Sequence, residues 1–206
     1  MPKVKYFFQQ SWLLIVSAFL FGLLIAVANA AWEGRIRQNE EDKFNNLARE
    51  LLPEAANFET GIEKVEVESG KGKKKATSVK KGVSADGKCV GWAFKCEGSG
   101  FADKIKLVLA VDVGFEKLMG FGVLASNETP GFGDQIKLPY YRSQFVGAPA
   151  AELLLEKTGE PKTIDSKIVA ISGATVSSEA VVAIINEFVT QVKNQMQAKG
   201  LIGNGK

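Results

Sequence analysis

Ser172-Gly173-Ala174-Thr175-Val176-Ser177-Ser178 runs directly into a strongly amphipathic segment. Val181, Ile184, Ile185, Phe188, Val192 and Met196 recur there at i, i+3/i+4 and i+7, which predicts a helix from Ser177 to about Lys199 with one buried face. Gly200 and Gly203 close it. Two small residues thus precede a hydroxyl, Thr175, just before a helix start. The first N–H groups of a helix lack internal partners and its N-terminal end is positive, so such a place suits a phosphate. The ordinary reading is that Ser and Thr simply cap the helix. Taken locally, both readings stand.

Working outward, a helix with one apolar face needs a sheet to cover. Ile62 to Glu68 alternates as a short strand. Lys88 to Lys95 and Ile105 to Val113 read as two more, with Gly98-Ser99-Gly100 as the turn. Leu118 to Ala125 is a fourth, in which Gly120 and Gly122 signal a bulge or the close approach of something flat. Ile168 to Ile171 is a last short strand. Short turns between successive strands predict an antiparallel meander, so the fold class is α+β with a mostly antiparallel sheet flanked by helices. Between the first two strands, Lys71, Lys73, Lys74, Lys75, Lys80 and Lys81 crowd a stretch that reads either as a solvated hairpin or as a basic docking patch.

Residues Trp12 to Ala31 contain no charge, and Ser17 and Asn29 are their only polar side chains. Twenty helical residues at about 1.5 Å each span a hydrocarbon core of roughly 30 Å. Ala28-Asn29-Ala30 also matches a signal-peptidase pattern, but the apolar run exceeds a usual signal core, so the anchor is favoured. Lys3 and Lys5 before the span put the N-terminus inside and the body outside. The resulting organisation is a cytoplasmic N-terminus 1–11, a transmembrane helix 12–31, a juxtamembrane helix 32–53 ended by Pro53, and one exported domain 54–206. Ser17, Gly22 and Asn29 are the span's candidate packing and polar contacts with neighbouring membrane helices.

Composition excludes several chemistries. The chain has no histidine, which removes His-based acid/base catalysis, Ser-His-Asp triads and His-ligated metals. Its two cysteines, Cys89 and Cys96, are too few for an iron–sulfur cluster within one chain; they either pair or lie buried as small apolar residues. A net charge of +3 without an aromatic-and-basic module gives no nucleic-acid site. Redox chemistry here requires an organic cofactor.

Glu128-Thr129-Pro130-Gly131-Phe132-Gly133 follows the fourth strand, with Pro130-Gly131 at the centre of a type II turn. Ser143-Gln144-Phe145 then reads as a short helix or turn, continuing as Gln144-Phe145-Val146-Gly147. An N-terminal span, a body of strands, an E-T-P-G-x-G loop, a Q-F-x-G element and S-G-A-T-x-S-S before the final helix, in that order, resemble a known family. This is the exported FMN-binding domain shared by the G subunit of Rnf-type electron transport complexes and the C subunit of the sodium-pumping NADH:quinone reductase. Chain length favours the Rnf member of the pair.

The resemblance implies that Thr175 is esterified to the phosphate of FMN. A flavin transferase installs the group from FAD with magnesium present. Ser172, Gly173 and Ala174 then belong to the attachment motif, Gly173 and Ala174 clearing space. Ser177 and Ser178 cap the helix or donate to phosphate oxygens, and Glu179 points away. Glu128 and Thr129 are the implied ring contacts, with Gly131 and Gly133 giving backbone approach. No catalytic side chain or resident metal is implied. The partners are the other integral and peripheral subunits, the transferase and membrane lipid. The implied task is electron transfer within an inner-membrane translocase coupling ferredoxin/NAD electron flow to sodium or proton movement. Two positions depart from the family pattern: Val169 stands where an acidic residue usually precedes the motif serine by three (Asp165 is out of register), and Phe132 stands where leucine is frequent. The rival reading is an anchored interaction or sensory domain of the same fold without covalent flavin, with a stand-alone flavoprotein as a third.

Overall fold

The computed structural model describes residues 2–69 and 73–202. The chain divides into two units, residues 1–42 and residues 43–206. The first belongs to a long helix, α1 (Pro2–Leu51). From Gln10 onward it contains a window of mean hydropathy 2.5, none of it buried, and is long and apolar enough to cross a membrane. Leu14, Phe19 and Ile25 are exposed along it.

The second unit is built on a five-stranded antiparallel sheet in sequence order. Its strands are β1 (Asn57–Ser69), β2 (Lys73–Val83), β3 (Cys89–Ser99), β4 (Lys104–Val111) and β5 (Leu118–Ala125). After β5 come a 3-10 turn at Gly133–Lys137, α2 (Pro139–Arg142) and a second 3-10 turn at Ser143–Phe145. Then β6 (Leu154–Glu156) pairs in parallel with β7 (Lys167–Val169), and α3 (Thr175–Ala198) closes the chain.

Both faces of the sheet are covered, and the period of two sorts the side chains. Ile105, Leu107, Leu109 and Val111 of β4 join Trp92, Phe94 and Cys96 of β3 in the large core, with Val181, Ile184, Ile185, Phe188 and Val192 of α3. Val108, Ala110 and Ala93 point the other way and meet Phe44, Ala48, Leu51 and Leu52 at the end of α1. That second face explains two glycines. A Cβ on Gly122 would stand 2.8 Å from a Leu47 methyl, and Gly120 (φ +118°) lies against Leu51 and Val146. The β4–β5 ladder shifts register beside Gly120, as the bulge reading expects, and what approaches this strand closely is a helix.

Four other expectations are decided or shifted. The lysine stretch is strand β2, apart from Lys71, which lies outside the described residues. Lys74 pairs with Glu66 and Glu68 across the β1–β2 ladder. Lys75 reaches the Glu97 carbonyl and Glu187, and Lys80 lies over the Phe44 ring. The stretch is thus the second strand of an antiparallel β1–β2 pair, as the hairpin reading has it, with Lys74 and Lys75 ion-paired. The turn between β3 and β4 begins at Gly100 rather than Gly98, because β3 continues through Ser99. Cys89 and Cys96 are both free. Seven residues apart on one strand, they both lie toward the large core but are separated by roughly 23 Å, far beyond disulfide reach. Finally, α3 starts at Thr175 rather than Ser177.

Candidate functional site

The start of α3, the loop after β5 and the β3–β4 turn converge on one cleft of about 420 Å³. This is within the range of roughly 300–1,000 Å³ usual for small-molecule sites. Thr175 is half-buried in its wall, between buried Ala174 and exposed Val176.

The segment leading to Thr175 is fixed from behind. The Gln144 side-chain amide accepts from the Val169 N–H (2.8 Å) and donates to the Val169 carbonyl (3.2 Å). Gln144 is buried, so this pair ties the end of β7 to the second 3-10 turn. The chain then turns at Ile171–Ala174, where the Ala174 N–H donates to the Ile171 carbonyl. Gly173 occupies the third position with φ +79°, a conformation costly for any residue with a Cβ. The Phe132 ring rests on it, 3.2 Å from where a Cβ would be.

The helix start is uncapped. Its N-cap is Ala174, which makes no side-chain capping hydrogen bond. The two serines expected to cap it are occupied elsewhere. Ser178 Oγ donates to the Ala174 carbonyl and accepts from the Ile171 N–H, both at 3.0 Å, so it is buried structural glue. Tyr141, buried beneath, donates to the Ser178 carbonyl (3.1 Å), and burial pushes its phenol well above its ordinary value. Ser177 Oγ donates to Glu128. The helix therefore presents its first-turn N–H groups and positive end without a side-chain cap.

Glu128 is buried behind the wall. Its carboxylate accepts the Ser177 hydroxyl, the Phe101 N–H (3.3 Å) and the Ala102 N–H (3.1 Å). Desolvation pushes its pKa up. The donors, led by Ser177, outweigh that and hold it below the ordinary carboxylate value. Gly133 permits the close packing: a Cβ there would lie 2.6 Å from Ser177 Oγ. The E-T-P-G turn has the expected geometry, with the Phe132 N–H on the Thr129 carbonyl and Gly131 at φ +78°. Its apex is held by Gln135, which donates to the Gly131 carbonyl (2.6 Å) and accepts from Tyr140.

Of the residues singled out in the sequence, Thr129, Gly133, Gly173, Ala174, Thr175 and Ser177 line the cleft. Ser172 and Gly131 are exposed at its edges. Glu128 and Ser178 lie behind the wall and not in it, because their polar atoms are taken by backbone and hydroxyl partners. Glu179 is exposed. Phe132 is 56 % exposed, so it does not fill the core. Sequence reading missed Phe101, a lone aromatic at a polar hairpin tip, and the positioning role of Gln144, visible only as part of Q-F-x-G. Among the described residues that line the cleft there is no Lys, Arg, Asp or Glu.

Residues 100–190, from the β3–β4 turn through most of α3, match the FMN-binding domain family. The cleft thus lies within a flavin-binding class of domain. The G subunit of the ion-translocating oxidoreductase complex of Methanosarcina acetivorans is 30 % identical over 184 residues, 88 % of this chain and 92 % of the relative. The chain belongs to this family of G subunits. The G subunit of the Na(+)-translocating ferredoxin:NAD(+) oxidoreductase complex of Acetobacterium woodii is 27 % identical, with 92 % of this chain and 93 % of the relative aligned. Among solved structures, Shewanella oneidensis NqrC superposes with a TM-score of 0.54 at 25 % identity, covering 71 % of this chain and 73 % of that one.

Proposed function

We propose that Thr175 carries FMN through its phosphate, and that the chain is an electron-transfer subunit of an ion-translocating membrane complex coupling ferredoxin/NAD electron transfer to sodium or proton translocation. One observation carries the reading: a threonine hydroxyl occupies the first turn of an uncapped 24-residue helix, in the wall of a cleft inside the FMN-binding match. A covalent link suits this cleft. A phosphate monoester bears about −1.5 to −2 charge at neutral pH, and none of the described residues lining the cleft is cationic. A diester on Thr175 leaves a single negative charge, which a helix N-terminus favours by roughly 0.3–1 kcal/mol.

FMN supplies one- and two-electron chemistry when bound. The chain's residues position it. Thr175 anchors the phosphate end, Gly173 and Ala174 leave room for a maturation transferase, and Thr129 with Gly133 offers polar and backbone approach to the ring. Gln144 holds Val169 by its backbone, which supports presentation of the loop whatever side chain stands at that position. The apolar N-terminal helix anchors the subunit, with its N-terminus cytoplasmic and the FMN domain on the periplasmic or extracellular side. Its partners are the other complex subunits, the transferase and lipid.

The test is intact mass of the full chain co-expressed with a flavin transferase. The wild type should gain the mass of FMN less water, and yellow fluorescence should survive denaturation. Thr175→Ser should retain the adduct and Thr175→Ala lose it. A wild-type chain weighing only its amino acids would leave the anchored interaction domain without covalent flavin. The ion pairs of Lys74 and Lys75 weaken the basic patch that rival relies on.

A further inference from the structure

Phe101 is 65 % exposed at the tip of the β3–β4 hairpin. A single exposed aromatic needs no explanation; its fixation does. The backbone N–H groups of Phe101 and Ala102 both end on the Glu128 carboxylate, and the same carboxylate takes the Ser177 hydroxyl from the first turn of α3. A buried carboxylate is costly unless hydrogen bonds satisfy it, and here the donors come from the hairpin tip and from the helix carrying Thr175. The tip is tightened further by the Gly100 N–H on the Asp103 carbonyl (2.8 Å) and by Asn127 on the Asp103 carboxylate (2.9 Å). Gly100 leaves the space the carboxylate fills, since a Cβ there would collide with it. Phe132, the second exposed ring, is seated on Gly173 across the same cleft. Two exposed aromatic faces and an attachment hydroxyl line one cavity, which suits a flat heterocycle stacked on aromatic carbon.

We propose that Phe101 is a ring-contact residue of this cleft and that Glu128 is the positioning residue that holds it there. The inference rests on the reading of Thr175 as the FMN attachment point. It adds the hairpin tip to the site and moves Glu128 from the ring to the support behind it.

The experiment uses the full chain, flavinylated in the cell and purified in detergent, as wild type, Phe101→Ala, Phe101→Trp, Glu128→Gln and the Phe101→Ala/Glu128→Gln double variant. Intact mass reports whether FMN is attached. Iodide quenching of flavin fluorescence and the visible circular dichroism of the flavin report how the ring is held. Phe101→Ala should keep the FMN mass and the melting temperature, while quenching by iodide rises several-fold and the dichroic band shrinks. Phe101→Trp should restore both signals. Glu128→Gln should reproduce the Phe101→Ala change with Phe101 still present, and the double variant should be no worse than either single, the mark of one shared pathway. If Glu128→Gln does not fold, Gly100→Ala displaces the same contact from the other side and should give the same spectrum. A Phe101→Ala flavin shielded as in the wild type overturns the contact. Additive effects of the two substitutions overturn the positioning role of Glu128. A wild type without FMN mass instead removes the attachment reading on which the proposal stands.

Discussion

Glu128 shows how a residue can be recognised and yet misplaced. The E-T-P-G-F-G stretch is legible as a loop near a cofactor, but sequence cannot tell whether a carboxylate faces the ligand or the backbone behind it. That depends on where the β3–β4 tip and the first turn of α3 arrive, and both bring donors to the same oxygens. The consequence is a pH dependence. The folded-state pKa of Glu128 lies below its ordinary value of 4.5. Its stabilising contribution is therefore complete above that value and is lost as pH falls through the folded pKa. Melting temperatures between neutral pH and about pH 3 should fall in the wild type, with a shallower acid limb in Glu128→Gln. An identical acid limb in the two proteins would show that this carboxylate is not held in its charged form.

At the scale of elements, α3 is readable because its apolar positions keep helical spacing over several turns, and tertiary packing then agrees with that period. Ile185 is fully buried at the middle of the stripe. Ile185→Ala should cost about 2–5 kcal/mol, seen as a lower melting temperature by near-ultraviolet dichroism, whereas a change at exposed Glu179 should be nearly silent. Strand β2 is not readable, because Lys74 and Lys75 find acidic partners on β1 and α3, and Lys75 a carbonyl on β3, that no local window contains. Cysteine pairing is equally undetermined until the register puts both thiols on one strand. Under native conditions a maleimide should label half-buried Cys89 while Cys96, buried and with its thiol pushed up by desolvation, reacts only after unfolding. Non-reducing electrophoresis should show no intramolecular bridge.

At the scale of the whole molecule, the end of α1 belongs to the same unit as the sheet: Phe44, Ala48, Leu51 and Leu52 cover the second face. Full burial of a large apolar side chain contributes about 1.5–3 kcal/mol, so three of them rival a typical total stability of about 5–15 kcal/mol. A chain beginning at residue 43 should fold and remain monomeric, while one beginning at residue 54 should expose Ala93, Val108 and Ala110 and aggregate; size-exclusion chromatography separates the outcomes. The amino-acid order alone determined the apolar span, the α+β class, the amphipathic last helix and the threonine at its start, because each is written in local period or in contiguous residues. Only the tertiary structure decided that the helix start is uncapped, that Glu128 stands behind the cleft, and that Phe101 stands in it. Those facts come from segments far apart in sequence competing for the same hydrogen-bond donors and the same space, and such competition has no local signature.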